Sequence, residues 1–403
     1  MKFKTKYLLY VGYCIYMLSN VFIESKMCDI SGVGTMLRFL KYVGVLFCIF
    51  ASHQSLTVSK QKAIEFLCVL FMAIANMLFV QGGSGLIEIM IIIFCIVLSE
   101  VKTNEVFACG IITLLGGHLF VIILSLLGIL KDEVSSRWFG NYMGAFFSGE
   151  YVRHQMGFLS SNQIPLTLMI VYLMIIIYKQ KNVTFIEHAF FLIINFWCFF
   201  NFGARVSFIL INFTFILYEI IVFFEKKNKK SKCSPFFWTI YLSCAIISIF
   251  SAYVYNPTSN MWKILNEIFY NRIRWSHAAI DKYGISLIGY GLNAGKATGN
   301  FGENLIDNAY ILVLIQKGVI IATIVILFWC YITYKAEKEK NAFLVLSLVI
   351  IAVASLIDDH LITYKMIPFY AIAFLNDYTI NHNQQMKVKP KRHYKIIHIK
   401  RGI

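Results

Sequence analysis

Residues 84–130 read SGLIEIMIIIFCIVLSEVKTNEVFACGIITLLGGHLFVIILSLLGIL, two apolar segments separated by one short polar stretch. Each segment approaches the ~20 mostly apolar residues that a helix needs to cross a bilayer. Across the chain, 59% of residues are hydrophobic and 14% are Asp, Glu, Lys or Arg, against roughly a quarter charged residues in soluble domains. The composition therefore excludes a soluble enzyme, a nucleic-acid-binding protein and a disordered scaffold, and indicates an integral membrane protein.

Similar apolar segments recur along the whole chain and predict an all-α polytopic membrane protein with about 12 transmembrane helices. Residues 1–403 are expected to form a single integral membrane domain. The first segment is predicted to stay in the mature protein, because no small-residue cleavage pattern follows it. The predicted spans are 7–23, 36–51, 63–80, 84–99, 106–130, 164–178, 185–202, 204–224, 236–254, 307–333, 341–357 and 361–380.

The distribution of basic residues predicts the orientation. Most of the 37 Lys and Arg residues fall in the N-terminus, the even-numbered loops and the tail, and short positively charged segments lie on the cytoplasmic side. We therefore expect a multi-pass protein of the bacterial cell membrane with both termini in the cytoplasm. The basic runs 226–230 and 387–401, part of a net charge of +16, are interpreted as topology signals that also attract anionic membrane lipid. We expect no nucleic-acid partner.

Two long connections, 131–163 and 255–306, fall on the predicted outer side. Loops of this length are uncommon unless they are functional or disordered, and their content of Trp, Tyr, Phe and Arg argues against disorder. The second contains residues 259–283, which predict one amphipathic helix on the membrane surface. Its helical wheel places Arg272 within the apolar arc and Arg274 on the polar face.

Four charged residues near the predicted outer surface are candidates for chemistry. Arg272 is interpreted as an anion-binding residue, because a guanidinium turned toward the protein suits a phosphate in a dry site; the alternative is a side chain that snorkels to solvent. Asp307 is interpreted either as a helix N-cap or as a general base. Arg205 is expected to face the bundle or an external cavity, because a charge within a span is costly. Arg153 lies at the outer interface.

Glu88, His118, Glu219 and Lys317 are polar groups within predicted spans. They are interpreted either as mutual structural pairs or as a proton path, and sequence spacing leaves open whether Glu88 meets Lys317. Most of the ten cysteines also lie within spans, where Cys acts as a small apolar residue. Because no Cys/His spacing typical of zinc occurs, we expect neither a disulfide nor a structural zinc site.

Several short motifs follow one another in a defined order along most of the chain. They are Arg153 with Gly157, Phe158 and Asn162; Gly203-Ala204-Arg205-Val206-Ser207; Arg272 with Trp275; Gly289 with Gly291; and Asp307-Asn308-Ala309-Tyr310, followed by Gly318. In these features the chain resembles the Wzy-type polymerases and O-antigen ligases, membrane enzymes that assemble bacterial surface polysaccharide. Asp307 stands where the ligases typically carry His, which favours a polymerase, and Ser160-Ser161 departs from the Pro common before the Asn.

The resemblance implies the polymerisation of undecaprenyl-pyrophosphate-linked oligosaccharide repeat units into capsule, exopolysaccharide or O-antigen. A hydroxyl of the lipid-linked acceptor would attack the anomeric carbon of the donor, with inversion, and undecaprenyl pyrophosphate would leave. The implied catalytic residues are Arg153, Arg205 and Arg272, which stabilise the pyrophosphate, and Asp307 as base, with Asp359 or His360 as the next choices. The implied substrate-binding residues are Asn162, Trp275, Asn308, Tyr310, Asp359 and His360. We expect no metal or other cofactor, and a chain-length regulator and a flippase as partners.

Two other functions remain open. A lipid-linked oligosaccharide flippase would also suit twelve spans, but transporters usually carry charged groups at the bilayer midplane and internal repeats. Here the arginines collect at one predicted face, and the halves of the chain show no repeat. The other function is a sugar transferase that acts on polyprenyl monophosphate sugars. Such enzymes usually carry several acidic residues in the first external loop, where this chain has Asp29 alone, which is weak support.

Overall fold

The computed structural model describes residues 2–53, 84–98, 101–139, 149–226, 236–269, 271–290 and 306–375. Within these residues, eight helices are long and apolar enough to cross a membrane, so the chain is a multi-pass, mostly helical membrane protein. The helices are α1 (Lys2–Ile23), α2 (Val33–His53), α3 (Ser84–Leu98), α4 (Thr103–Leu126), α5 (Gln163–Lys179), α6 (Phe185–Phe202), α7 (Arg205–Lys226), α8 (Ile240–Val254), α9 (Asn260–Ile268), α10 (Arg272–Tyr283), α11 (Ala309–Lys338), α12 (Ala342–Ala354) and α13 (Ile367–Ile372).

The predicted spans agree with this arrangement in most places. Spans 185–202 and 204–224 are two separate helices, α6 and α7, because Gly203 ends α6 in a left-handed conformation with φ of 60°. The predicted span 63–80 and the basic tail 387–401 lie outside the described residues. Helix α5 lies in the middle of the bundle and contacts α4, α6, α7 and α12. Most of its side chains are buried, so the core forms around it.

The described residues are mostly helical, as predicted, but the first long loop contains two strands that were not predicted. Strands β1 (Val134–Phe139) and β2 (Gly149–His154) form an antiparallel hairpin there. Asp132 anchors the hairpin, since its carboxylate accepts from the amides of Gln155 at 2.9 Å and Met156 at 2.7 Å and from His154 Nδ1 at 2.6 Å. Burial raises the pKa of Asp132, but these hydrogen bonds outweigh it and lower the pKa below its usual value.

The single amphipathic helix predicted at 259–283 was also wrong, because the segment is two helices, α9 and α10. The chain turns at Asn271, whose φ of 63° is left-handed, a conformation that Asn tolerates better than most residues. The buried Asn266 stabilises the turn. Its side chain donates to Asn271 Oδ1 at 2.7 Å and accepts from the amide of Arg274 at 3.0 Å.

The span predicted at 307–333 begins at Ala309, extends to Lys338 and is broken at Gly318, where φ is 83°. The segment 286–290 lies against this break. The amide of Tyr290 donates to the carbonyl of Ile315, and the amide of Val319 donates to the carbonyl of Ser286, both at 3.0 Å. Backbone groups that the broken helix leaves open are therefore satisfied by protein, as membrane-embedded backbone requires.

The last predicted span, 361–380, is not one continuous helix over its described part. Residues Tyr364–Met366 form a 3₁₀ turn, and the regular helix α13 covers only Ile367–Ile372. The segment is buried against α3 and α4. Its end is held by Lys335, whose ammonium donates to three main-chain carbonyls, including that of Leu375 at 2.9 Å, in the way that cations stabilise helix C-termini.

The connections that the basic residues assign to the outer side meet at one end of the bundle. The carbonyl of Glu24 accepts from the amide of Leu159 at 3.0 Å, and Lys26 pairs with Glu133 at 3.0 Å. The opposite end joins predicted cytoplasmic connections, since Glu337 accepts from the amide of Trp238 at 2.9 Å. The predicted sidedness is thus self-consistent, while the direction in the membrane stays a prediction. We call the first end the loop face. It is formed by residues 24–32, 127–135, 152–162, 203–204, 255–269, 271–283, 306–308 and 355–365.

Most of the polar groups within spans have protein partners. Glu88 pairs with Lys41 at 2.8 Å and not with Lys317. His118 contacts Leu114 and Thr167 at 2.8 and 2.9 Å. Glu219 lies 3.9 Å from the buried His188. Lys317 is buried beside the break in α11. The interpretation as mutual pairs was therefore wrong for Glu88, His118 and Glu219, because each of them contacts a residue outside this set.

Glu88→Gln is expected to destabilise the protein by about 3–5 kcal/mol, because it leaves the largely buried Lys41 without its counter-charge. Thermal unfolding in detergent measures this loss. The double variant Glu88→Met/Lys41→Met should recover most of it, since the unpaired charge is gone. Lys131→Ala, which removes an exposed lysine 4.0 Å from Glu133, is the control and should leave the melting temperature unchanged. Equal melting temperatures for Glu88→Gln and the wild type would exclude a structural pair.

Candidate functional site

Arg272 joins three parts of the loop face. It is the first residue of α10 and is 6% exposed. Its Nη2 lies 3.1 Å from Asp307 Oδ2, and its Nε donates to the carbonyl of Ile357 at 2.5 Å. The alternative that Arg272 snorkels to solvent was wrong, whereas Arg274 is exposed, as predicted for the polar face. The guanidinium is therefore fixed between the starts of α10 and α11 and the end of α12.

Asn308, and not Asp307, is the N-cap of α11. Its Oδ1 accepts from the amides of Tyr310 at 3.0 Å and Ile311 at 3.2 Å, and its Nδ2 donates to Ser248 Oγ at 3.0 Å. The N-cap alternative for Asp307 was therefore wrong. Because the cap is supplied by the next residue, the Asp307 carboxylate is available to Arg272 and is 26% exposed.

The turn after α12 brings further carboxylates to the same place. Asp359 lies on this turn and is 48% exposed. Partial burial raises the pKa of its carboxyl to about 7, and the negative charges of Asp358, Asp307 and Glu24 add to this increase. A carboxyl with a pKa raised in this direction suits proton transfer near neutral pH.

His360 lies behind this carboxylate and is 8% exposed. Its Nδ1 is 3.6 Å from Asp359 Oδ1, and its Nε2 is 3.9 Å from Asp358 Oδ2. Burial, together with the charge of Lys365, holds the pKa of His360 well below its usual value. The imidazole is consequently neutral at neutral pH and does not neutralise the carboxylates next to it.

A buried ion pair that was not predicted from the sequence stabilises the turn after α12. Lys365 is 2% exposed, and its Nζ lies 3.0 Å from Glu24 Oε2 and 2.5 Å from Gln163 Oε1. Tyr364 donates to the same Glu24 oxygen at 2.8 Å. The pair ties together the end of α1, the start of α5 and the segment after the turn. The only available signal was the position of Glu24 and Lys365 near the outer ends of predicted spans.

Arg153 and Asn162 form a second polar group on the loop face. Arg153, on β2, donates from Nε to the carbonyl of Phe202 at 2.7 Å and from Nη2 to Asn162 Oδ1 at 2.6 Å. Phe202 is the last residue of α6, where a cation is favoured by the exposed carbonyls of the helix end. Arg205 begins α7 three residues later and is buried, in agreement with the expectation that it faces the bundle.

Helix α7 packs against α12. The rings of Tyr218 and Phe343 lie 5.4 Å apart, so the late part of α7 contacts the start of α12. Arg205 lies at the other end of α7, next to residues 203–204 of the loop face.

The other predicted binding residues have different surroundings. Tyr310 is buried in the core and donates from its hydroxyl to the carbonyl of Ala352 at 2.9 Å, a position that serves packing. Trp275 lies partly buried on α10. The Gly289 backbone approaches the break at Gly318 and not a surface: a Cβ added to Gly289 would lie 2.5 Å from the carbonyl oxygen of Gln316.

The first group, Arg272, Asp307, Asp359 and His360, combines a fixed guanidinium with an accessible carboxyl that exchanges protons near neutral pH. Such a site can bind an anionic group and accept a proton from a neutral one. Among the described residues, no cluster of His, Cys, Asp and Glu has the geometry to hold a metal ion.

No protein-family model matches the chain, and no curated protein or solved structure is significantly similar to it.

Proposed function

We propose that the chain is a glycosyltransferase that polymerises undecaprenyl-pyrophosphate-linked oligosaccharide repeat units at the outer face of the membrane. The observation that carries the proposal is the buried Arg272 guanidinium on the loop face, fixed by Asp307 and the carbonyl of Ile357. The charge of Asp307 also acts on the half-exposed Asp359. A lipid-linked diphosphate reaches such a site naturally, because its tail stays in the bilayer while its charged head lies at the end of the helix bundle.

In the proposed reaction, an acceptor hydroxyl attacks the anomeric carbon of the donor sugar. The oxygen–carbon bond to the acceptor forms as the carbon–oxygen bond to the diphosphate breaks, and undecaprenyl pyrophosphate leaves. The leaving group is good, so the protein's main task is to stabilise the charge that develops on it. Arg272 would stabilise this negative charge, and Asp307 would orient its guanidinium. Arg205 and Arg153, which lie in the second polar group of the loop face, would contribute as well.

The direct test supplies purified protein with synthetic lipid-linked repeat units and separates the products by size. The proposal predicts a ladder of glycans that grows by one repeat unit per step and releases undecaprenyl pyrophosphate stoichiometrically. The absence of both products from correctly folded protein would reject the proposal.

A second candidate function is a flippase for lipid-linked oligosaccharides. The break of α11 at Gly318, beside the buried Lys317, favours it, because transporters often use discontinuous helices at their substrate sites. Against it, the segment 286–290 already binds backbone groups on both sides of the break. Proteoliposomes separate the two functions: a flippase moves repeat units across the bilayer without changing them, whereas a polymerase joins them.

A further inference from the structure

Two carboxyl groups of the loop face, Asp307 and Asp359, could accept the proton of the acceptor hydroxyl. We propose that Asp359, and not Asp307, is the general base of the polymerisation. This inference rests on the proposed function and adds to it the residue that removes the proton. The two side chains lie close enough for their charges to interact. They differ in the residues that each of them contacts.

Asp307 is committed to Arg272. Its Oδ2 lies 3.1 Å from the guanidinium, which is 6% exposed. A proton placed on Asp307 would remove the counter-charge of a buried arginine during the reaction, and such an arrangement is costly. It would also release Arg272 from the position in which it meets the diphosphate. These contacts make Asp307 a positioning residue.

The contacts of Asp359 are different. Among the described residues, no Lys or Arg lies within ion-pair distance of its carboxylate. His360 lies 3.6 Å from it, and the charges that act on it are those of Asp358 on its own turn, Asp307 at the start of α11 and Glu24 after α1. Arg272 is paired with Asp307. Lys365 is already paired with Glu24. Asp359 is thus half exposed, rich in negative neighbours and able to take a proton without breaking an ion pair.

The buried His360 also supports proton transfer at Asp359. Its Nε2 is buried and has no hydrogen-bond partner among the described residues, while its Nδ1 lies 3.6 Å from Asp359 Oδ1. A neutral imidazole in this position leaves the negative charge of Asp359 uncompensated, which favours uptake of a proton by the carboxylate. In the reaction, the acceptor O–H bond breaks, its proton moves to Asp359 Oδ, and the electron pair of that bond forms the new glycosidic bond as undecaprenyl pyrophosphate departs.

The pH dependence follows from the same group. Below about pH 7 the Asp359 carboxyl is protonated and cannot act as a base, so the polymerisation rate should rise with pH through this range and level off above it.

The experiment measures the initial rate of glycan formation by the purified full-length protein between about pH 5.5 and pH 8.5. Asp359→Asn is expected to lower kcat by about 10²–10⁴-fold and to abolish the pH dependence of the remaining activity, because general base catalysis contributes about that much. Asp359→Glu, which retains a carboxylate, should recover part of the rate and the pH dependence. Asp281→Asn, on the exposed side of α10, is the control and should behave as the wild type.

Asp307→Asn should lower kcat, because it releases Arg272 from its position, but it should keep the wild-type pH profile. The inference is overturned if Asp359→Asn keeps the wild-type rate and profile, or if Asp307→Asn is the variant that loses the pH dependence. A melting temperature for each variant shows that it is folded, and Asp359→Glu serves where Asp359→Asn does not fold. Failure of the wild type to form glycan would reject the proposed function itself, a result distinct from an active wild type with an unaffected Asp359→Asn.

Discussion

Arg272→Lys is expected to lower the rate of polymer formation by about 10²–10³-fold, the loss typical when one preorganised donor to a developing anion is removed. A lysine keeps the positive charge but cannot donate to Ile357 and Asp307 while presenting a planar group to a diphosphate. The residual ammonium would therefore lie in a different position from the guanidinium, which two contacts now fix. The measurement is the rate of ladder formation by purified protein at saturating lipid-linked substrate.

The matched control for this variant lies two residues away on the same helix. Arg274→Lys changes an exposed guanidinium of α10 and should leave the rate within about 2-fold of the wild type, as surface substitutions usually do. If Arg272→Lys and Arg274→Lys are equally active, the buried guanidinium has no part in the reaction.

Gly318→Ala is expected to destabilise the protein by roughly 3 kcal/mol or more, since it combines backbone strain with a steric clash. The φ of Gly318 is 83°, and an added Cβ would lie 2.4 Å from the carbonyl oxygen of Leu287 and 2.6 Å from the amide nitrogen of Gly289. Because these atoms are backbone, the segment 286–290 would have to move away from α11. Thermal unfolding and the yield of monodisperse protein in detergent measure the effect.

Gly116→Ala provides the comparison. Gly116 lies within α4, and a Cβ added there would meet no atom within 4 Å, so this change should be neutral or slightly stabilising, as replacement of a helical Gly by Ala generally is. Equal melting temperatures for Gly318→Ala and the wild type would mean that the segment 286–290 does not pack against the break.

The sequence predicted those parts of the fold that depend on local pattern. Apolar length alone was enough to place most of the long helices, and the break at Gly203 was visible because Gly ends a helix readily. The buried position of Arg205 could be anticipated from the cost of a charge within a span. The exposed position of Arg274 was visible from helical periodicity.

The remaining features depend on contacts between residues far apart in the chain. The turn at Asn271 interrupts a pattern that is amphipathic on both sides of it, so periodicity alone gives one helix where there are two. The pairing of Glu24 with Lys365 and of Arg272 with Asp307 requires the helix ends to meet, which no local spacing determines. The same holds for Gly289, whose function is to approach the backbone of α11. The sequence therefore indicated which charged residues lie on the loop face, but not which residues each of them contacts.

Binding of undecaprenyl pyrophosphate and undecaprenyl monophosphate to the wild-type protein and to Arg272→Lys, measured in detergent, shows whether the buried guanidinium recognises a diphosphate. The wild type is expected to bind the diphosphate at least about 10-fold more tightly than the monophosphate, and Arg272→Lys is expected to lose this preference, because the fixed guanidinium donates to the diphosphate. Equal affinity of the wild type for the two lipids, or an unchanged preference in Arg272→Lys, would mean that Arg272 does not bind the diphosphate.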